Sequence, residues 1–205
     1  MNAIVDVEAS AAAGRSPLDV VRAYLAGGAT FLQLRAKRLG GAAFLALARD
    51  AVRLAHAAGA RLVVNDRADL ALLAEADGVH VGQDDLAPAD VRRLVGADPM
   101  VGLSTHTRPQ LASAVEAPVS YVAIGPVFST STKDTGYAAV GLDLVREAAA
   151  AAGARGLPLV AIGGITLETA PAVIAAGAAS VAVIGDLLIG GDPERRVRAY
   201  LETLG

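Results

Sequence analysis

Short runs of Val, Ile and Leu alternate along this chain with longer, alanine-rich segments of helical character. A brief apolar run bounded by turn formers reads as a buried strand, and a longer periodic segment as an amphipathic helix. Strands are expected at AIVDV (3–7), TFLQL (30–34), RLVV (61–64), GVHV (78–81), MVGL (100–103), YVAIG (121–125), LVAIG (159–163) and SVAVI (180–184). Helices are expected between them at 17–25, 42–58, 88–95, 142–152 and 193–203, several opening on Ser, Asp or Pro as helix starts do. Gly59 and Gly177, in AAGA and AAGAAS, fit as helix terminators before the next strand. Eight β/α pairs without a linker favour a single-domain α/β fold over residues 1–205. A closed (β/α)8 TIM barrel is expected rather than an open doubly wound sheet.

Composition narrows the class. The 205 residues suffice for a real core. A hydrophobic content of 54% and a mean hydropathy of +0.47 raise the question of a membrane protein. The longest weakly polar stretch, 170–185, is shorter than the roughly 18 residues of a span, and Pro171, Gly177 and Ser180 break it. No basic start followed by an apolar run marks a signal peptide, so a cytoplasmic protein is expected. With no cysteine, disulfides, a thiol nucleophile and thiolate metal sites are excluded. Basic and acidic residues, 18 and 21, nearly cancel and aromatics are 3%, so neither nucleic acid nor membrane is an expected partner. A homo-oligomer is left open.

A barrel gathers its chemistry at the C-terminal ends of its strands. There the chain places Gln33, Arg35 and Lys37, then Asn65 and Asp66, then Gln83, Asp84 and Asp85. Ser104, Thr105 and His106 follow the fifth strand, GPVFSTSTKDTG the sixth, Gly163 and Gly164 the seventh, and Ile184, Gly185 and Asp186 the eighth. Both lysines of the chain, Lys37 and Lys133, fall on this rim.

Asp66 and Asp85 end neighbouring strands, which lie about 4.8 Å apart in a sheet, so both carboxylates could reach one ion. Oxygen ligands without His or Cys at ligand spacing suit Mg²⁺ completed by water and phosphate oxygens. The competing reading is that each Asp caps the helix that follows. Arg35 and Lys37 alternate on an extended segment and share a face; they read as an anion site or as a solvated ion-pair face. The hydroxyl-rich FSTSTK loop and the glycines after strands seven and eight suit a phosphate held on backbone N–H groups, or simply tight turns. Cations and carboxylates on one rim make sense for a metal-bridged diphosphate, with a separate monophosphate near strands seven and eight. Of the histidines, His56 reads as structural, His80 as barrel packing, and His106 as a candidate acid or base.

The strings QLRAK (33–37), VNDRADLA (64–71), ADGVHVGQDDL (76–86), GLSTH (102–106), GPVFSTSTK (125–133) and AIGGIT (161–166) resemble those of the thiamin phosphate synthase family. Each string is modest, but their ordered set runs from the second strand to the eighth. The resemblance implies a (β/α)8 transferase that joins 4-amino-2-methyl-5-hydroxymethylpyrimidine diphosphate to 4-methyl-5-(2-hydroxyethyl)thiazole phosphate, releasing pyrophosphate. It implies Mg²⁺ on Asp66 and Asp85, with Asp84 a non-ligand neighbour. Gln33, Leu34, Arg35, Ala36, Lys37, Asn65, Ser104 and Lys133 would bind the pyrimidine diphosphate. Of these, Arg35, Lys37, Ser104 and Lys133 would serve catalysis. Thr130, Ser131, Thr132, Gly164, Ile184 and Gly185 would position the thiazole phosphate. The family's dissociative substitution, through a pyrimidine methyl cation, needs no enzyme nucleophile. Gly185 departs from the serine of many relatives, and the first strand lacks their longer aromatic segment. A related thiazole tautomerase, with His106 moving the proton, and a noncatalytic thiazole-phosphate-binding regulatory barrel are the alternatives.

Overall fold

The computed structural model describes residues 1–129 and 136–205. Among them, eight parallel strands close into a barrel in chain order. They are β1 (Asn2–Asp6), β2 (Phe31–Arg35), β3 (Arg61–Asn65), β4 (Gly78–Val81), β5 (Met100–Thr105), β6 (Tyr121–Ile124), β7 (Leu159–Ile162) and β8 (Ser180–Val183). The expected strands all form, with ends shifted by a residue or two. The helices are α1 (Val7–Ala12), α2 (Pro17–Ala26), α3 (Gly41–Ala57), α4 (Ala68–Leu73), α5 (Pro88–Val95), α6 (Arg108–Ala114), α7 (Gly141–Gly153), α8 (Ala170–Ala175) and α9 (Pro193–Leu204). A 3₁₀ segment, Gly185–Gly191, follows β8.

Local chemistry accounts for the helix starts. Ser16 and Asp192 accept from the backbone N–H of Asp19 and Arg195, and Pro17 and Pro193 fill the first helical position, where a missing N–H costs nothing. Along α3, Phe44, Ala48, Ala51, Val52 and Ala55 are buried at helical spacing, so one stripe faces the barrel.

Strand alternation separates two cores. Outward-facing Val5, Leu34, Leu62, Val64, Val101 and Ile124 join the helices in the main apolar shell. Inward-facing Ile4, Tyr121, Ala123, Val160, Ala182 and Ile184 form a smaller cluster inside the barrel. Gln33, Asn65, His80 and Ser104 also point inward, from β2 to β5, and are polar and buried. The buried polar side chains of the interior thus gather on the side of β2 to β5, while β6 to β8 contribute apolar ones.

Gly102, inward on β5, makes room for this arrangement. A β-carbon there would collide with the Tyr121 ring and with His80 Nδ1. Gly102→Ala is expected to lower stability by roughly 1–3 kcal/mol through overpacking. A urea midpoint equal to that of the parent protein would contradict this.

Candidate active site

The rim of β2 to β4 holds both charge signs. Lys37 Nζ pairs with Asp66 Oδ2 at 2.5 Å. The Asp66 and Asp85 carboxyls approach within hydrogen-bonding reach, and Gly82 N donates to Asp85 Oδ2 at 2.7 Å. Burial, and then Asp85, push the Asp66 carboxyl above the usual aspartate range, against the opposing pull of Lys37. Neither acid caps a helix: α4 starts after Arg67 and α5 after Ala87, both without a side-chain capping bond. Asp66 instead has φ of 65° and donates its N–H to His80 O at 2.7 Å, which turns its side chain out of the strand course. The capping alternative therefore does not describe these residues.

Arg35 is half-buried and ion-paired to the buried Asp6, its register partner across the β1–β2 ladder. Asp6 also accepts from Ala9 N at 2.8 Å, capping α1. No sequence motif pointed to Asp6, although its place at the end of β1, on the rim, was a usable signal. The structure separates Gln33 and Arg35, which face the barrel interior, from Leu34, whose side chain lies in the outer shell. Ala36 is half-buried against the same shell.

Arg35, Lys37, Asn65, Asp66, Asp85 and Ser104 share a polar cavity of about 230 Å³, to which Asp84 and Gln83 also contribute. Ser104 and His106 also line a second cavity of about 400 Å³, walled by Ile162, Gly163, Gly164, Ile184 and Gly185. The two cavities meet over β5. His106 donates from Nδ1 to Gly125 O at 2.5 Å, because a carbonyl can only accept, and it stacks on Tyr137 with ring centroids 4.2 Å apart.

Gly163 and Gly164 have φ of 100° and 65°, and a β-carbon on Gly164 would lie 2.5 Å from Ser129 O. The turn role is therefore real, and it draws the β6 loop against β7: Val127 N donates to Ile162 O and Phe128 N to Gly163 O. Asp186 is not part of the cavity chemistry in the way its rim position suggests. Its carboxylate is buried and takes Arg196 Nη2, Tyr200 OH and Leu167 N, tying the β7 and β8 loops to α9. Thr130, Ser131, Thr132 and Lys133 lie outside the described residues.

Residues 1–187 match the family model described as thiamine monophosphate synthase. The chain belongs to this family. It is 48% identical over 180 residues to the thiamine-phosphate synthase of Koribacter versatilis, covering 88% of this chain and 82% of that protein. It is 43% identical over 194 residues to the thiamine-phosphate synthase of Roseiflexus castenholzii, covering 94% and 83%. The solved thiamine phosphate pyrophosphorylase of Pyrococcus furiosus superimposes with a TM-score of 0.88 at 25% identity, over 99% of this chain and 94% of that one. These relatives are transferases, and the expected fold, family and enzyme class agree with them. Among the described residues, no helix is long and apolar enough to cross a membrane.

Proposed function

We infer that this (β/α)8 domain condenses 4-amino-2-methyl-5-hydroxymethylpyrimidine diphosphate with 4-methyl-5-(2-hydroxyethyl)thiazole phosphate, giving thiamin phosphate and pyrophosphate. The observation that carries the reading is the meeting of two cavities at Ser104, one lined by paired acids with cations and the other by glycines and apolar walls. A diphosphate suits the first and a phosphorylated heterocycle the second.

The donor set fits Mg²⁺. Two carboxylates crowded together, one with its proton affinity raised, are stabilised when a divalent cation relieves their repulsion. No group of three or more His, Cys, Asp and Glu gathers among the described residues, so such an ion would complete its shell with water and substrate oxygens. Bound there, Mg²⁺ would supply charge neutralisation at the diphosphate.

The reaction breaks the C–O bond between the pyrimidine methylene and the diphosphate and forms a C–N bond to the thiazole nitrogen, and the leaving group keeps the electron pair. No protein nucleophile takes part. Arg35 and Lys37, with Lys133, offset the charge growing on the leaving oxygens. Gln33, Asn65 and Ser104 orient the pyrimidine diphosphate, while Gly164, Ile184 and Gly185, with Thr130, Ser131 and Thr132, hold the thiazole phosphate. Holding both substrates in line supplies the remaining acceleration.

Incubation of the purified protein with both substrates and Mg²⁺ is expected to yield thiamin phosphate, and chelation should abolish it. Coupling that persists under chelation would remove the metal from the reading. Isomerised thiazole without coupling would indicate a tautomerase, and binding without turnover a regulatory barrel.

A further inference from the structure

Three side chains on three neighbouring strands form a buried chain, of which the proposed chemistry uses only Ser104. Tyr121 OH lies 2.9 Å from His80 Nδ1, and His80 Nε2 lies 2.8 Å from Ser104 Oγ. The two rings are stacked at 5.5 Å between centroids, in space that Gly102 leaves open by lacking a β-carbon. Ser104 is further fixed through its backbone, whose carbonyl accepts from Gln83 Nε2 at 2.6 Å.

The ends of the chain decide its polarity. One direction has Tyr121 donating to Nδ1, Nε2–H donating to Ser104 Oγ, and the Ser104 hydroxyl hydrogen turned to the cavity. The other has Ser104 donating to Nε2, Nδ1–H donating to the Tyr121 oxygen, and the phenolic hydrogen turned inward. Among the described residues His80 is the hydrogen-bond partner of the Tyr121 hydroxyl. Around the ring lie Phe31, edge-on at 6.1 Å, and the apolar cluster with Val160 and Ala182. The second direction therefore buries an O–H without an acceptor, which is strongly unfavourable, whereas the first leaves every hydrogen satisfied or aimed at ligand. Burial also pushes the Tyr121 phenol up, so it keeps its proton at neutral pH.

We propose that His80 and Tyr121 form a directed relay that holds the Ser104 hydroxyl as a donor toward the pyrimidine diphosphate, making both of them positioning residues for that substrate. This rests on the reading that Ser104 meets the diphosphate substrate. Without the Tyr121 hydroxyl, the bond that selects this His80 tautomer is lost, and Ser104 turns its hydrogen back onto Nε2.

The test is a double-mutant cycle with separate constants for the two substrates. Tyr121→Phe is expected to lower kcat/KM for the pyrimidine diphosphate by about ten- to a hundredfold, the effect of a lost bond to a charged group. KM for the thiazole phosphate and the thermal midpoint should change little. In the Ser104→Ala background the same change should have almost no effect, since the hydroxyl it orients is gone. His80→Gln, whose amide can still donate to Ser104, should retain more activity than His80→Leu. A wild-type rate in Tyr121→Phe, or an equal loss with and without Ser104, would overturn the proposal. Histidine ¹⁵N spectra, assigned with His80→Gln, test the polarity apart from turnover: a protonated Nε2 and bare Nδ1 are expected, and the reverse tautomer refutes the relay. Should the parent protein make no thiamin phosphate while the spectra show the expected tautomer, the functional reading fails and the relay stands.

Discussion

Asp66→Asn is expected to abolish Mg²⁺-dependent thiamin phosphate formation while making the metal-free protein more stable. An amide keeps the shape but removes the charge that a divalent cation requires. Losing an ion that neutralises a departing diphosphate should lower turnover by at least about a hundredfold. The stability effect follows from the raised Asp66 pKa, whose first cause is burial and whose second is Asp85. A group whose folded pKa exceeds its unfolded value binds more protons in the folded state, so unfolding free energy falls as pH rises between the two values. Above that window the parent protein carries the full penalty, and Asn, which mimics the protonated form, does not. The variant's advantage in urea midpoint, measured without metal, should be present at pH 7 and vanish below the ordinary aspartate range. Lys37 is 47% exposed and stays solvated when its partner becomes neutral. A variant that turns over normally would remove Asp66 from the proposed metal site. One that is less stable than the parent at pH 7 would show that the Lys37 ion pair outweighs the cost of burial and the repulsion from Asp85.

Arg35→Met is expected to be damaging twice over. The side chains of Arg35 and Asp6 are 13% and 5% exposed, so deleting the cation leaves a carboxylate in a dry place. Breaking one side of such a pair costs about 3–5 kcal/mol. The bond from Ala9 N to Asp6 offsets part of that, which places the expectation near the lower figure. Turnover should fall by at least about a hundredfold, because a guanidinium fork lining the polar cavity proposed for the diphosphate has no substitute in a thioether. Asp6→Asn/Arg35→Met separates the two losses. Asparagine still caps α1, and with both charges gone most of the stability should return, while turnover should not. Equilibrium urea unfolding and initial rates read the two quantities independently. If the single variant unfolds at the parent's urea midpoint, the buried pair is not a stabilising element of the rim.

The barrel was readable from the chain because its signals are local. Four- or five-residue apolar runs and proline- or serine-led helices depend on backbone sterics and on neighbours within a turn, so α5 at Pro88–Val95 appears at the expected residues. The rim was readable for the same reason, since whatever follows a barrel strand lies at its C-terminal end. His80 was legible as an inward-facing residue because strand alternation turns it into the barrel, where it meets Ser104 and Tyr121.

What the chain alone left undecided was who meets whom. Asp6 and Arg35 are 29 positions apart and meet only through the β1–β2 register. Whether Asp66 and Asp85 cap helices or face each other turned on a single positive φ and on where α4 and α5 begin. Asp186 follows β8 like a site residue, yet α9 folds back to bury it under Arg196 and Tyr200. The Tyr121, His80 and Ser104 chain exists because Gly102 omits one carbon in the barrel interior. Periodicity determines which face a side chain takes, since that is settled within a few bonds. Its partner across the barrel depends on strand stagger, closure and the packing of distant atoms, which only the tertiary structure brings together.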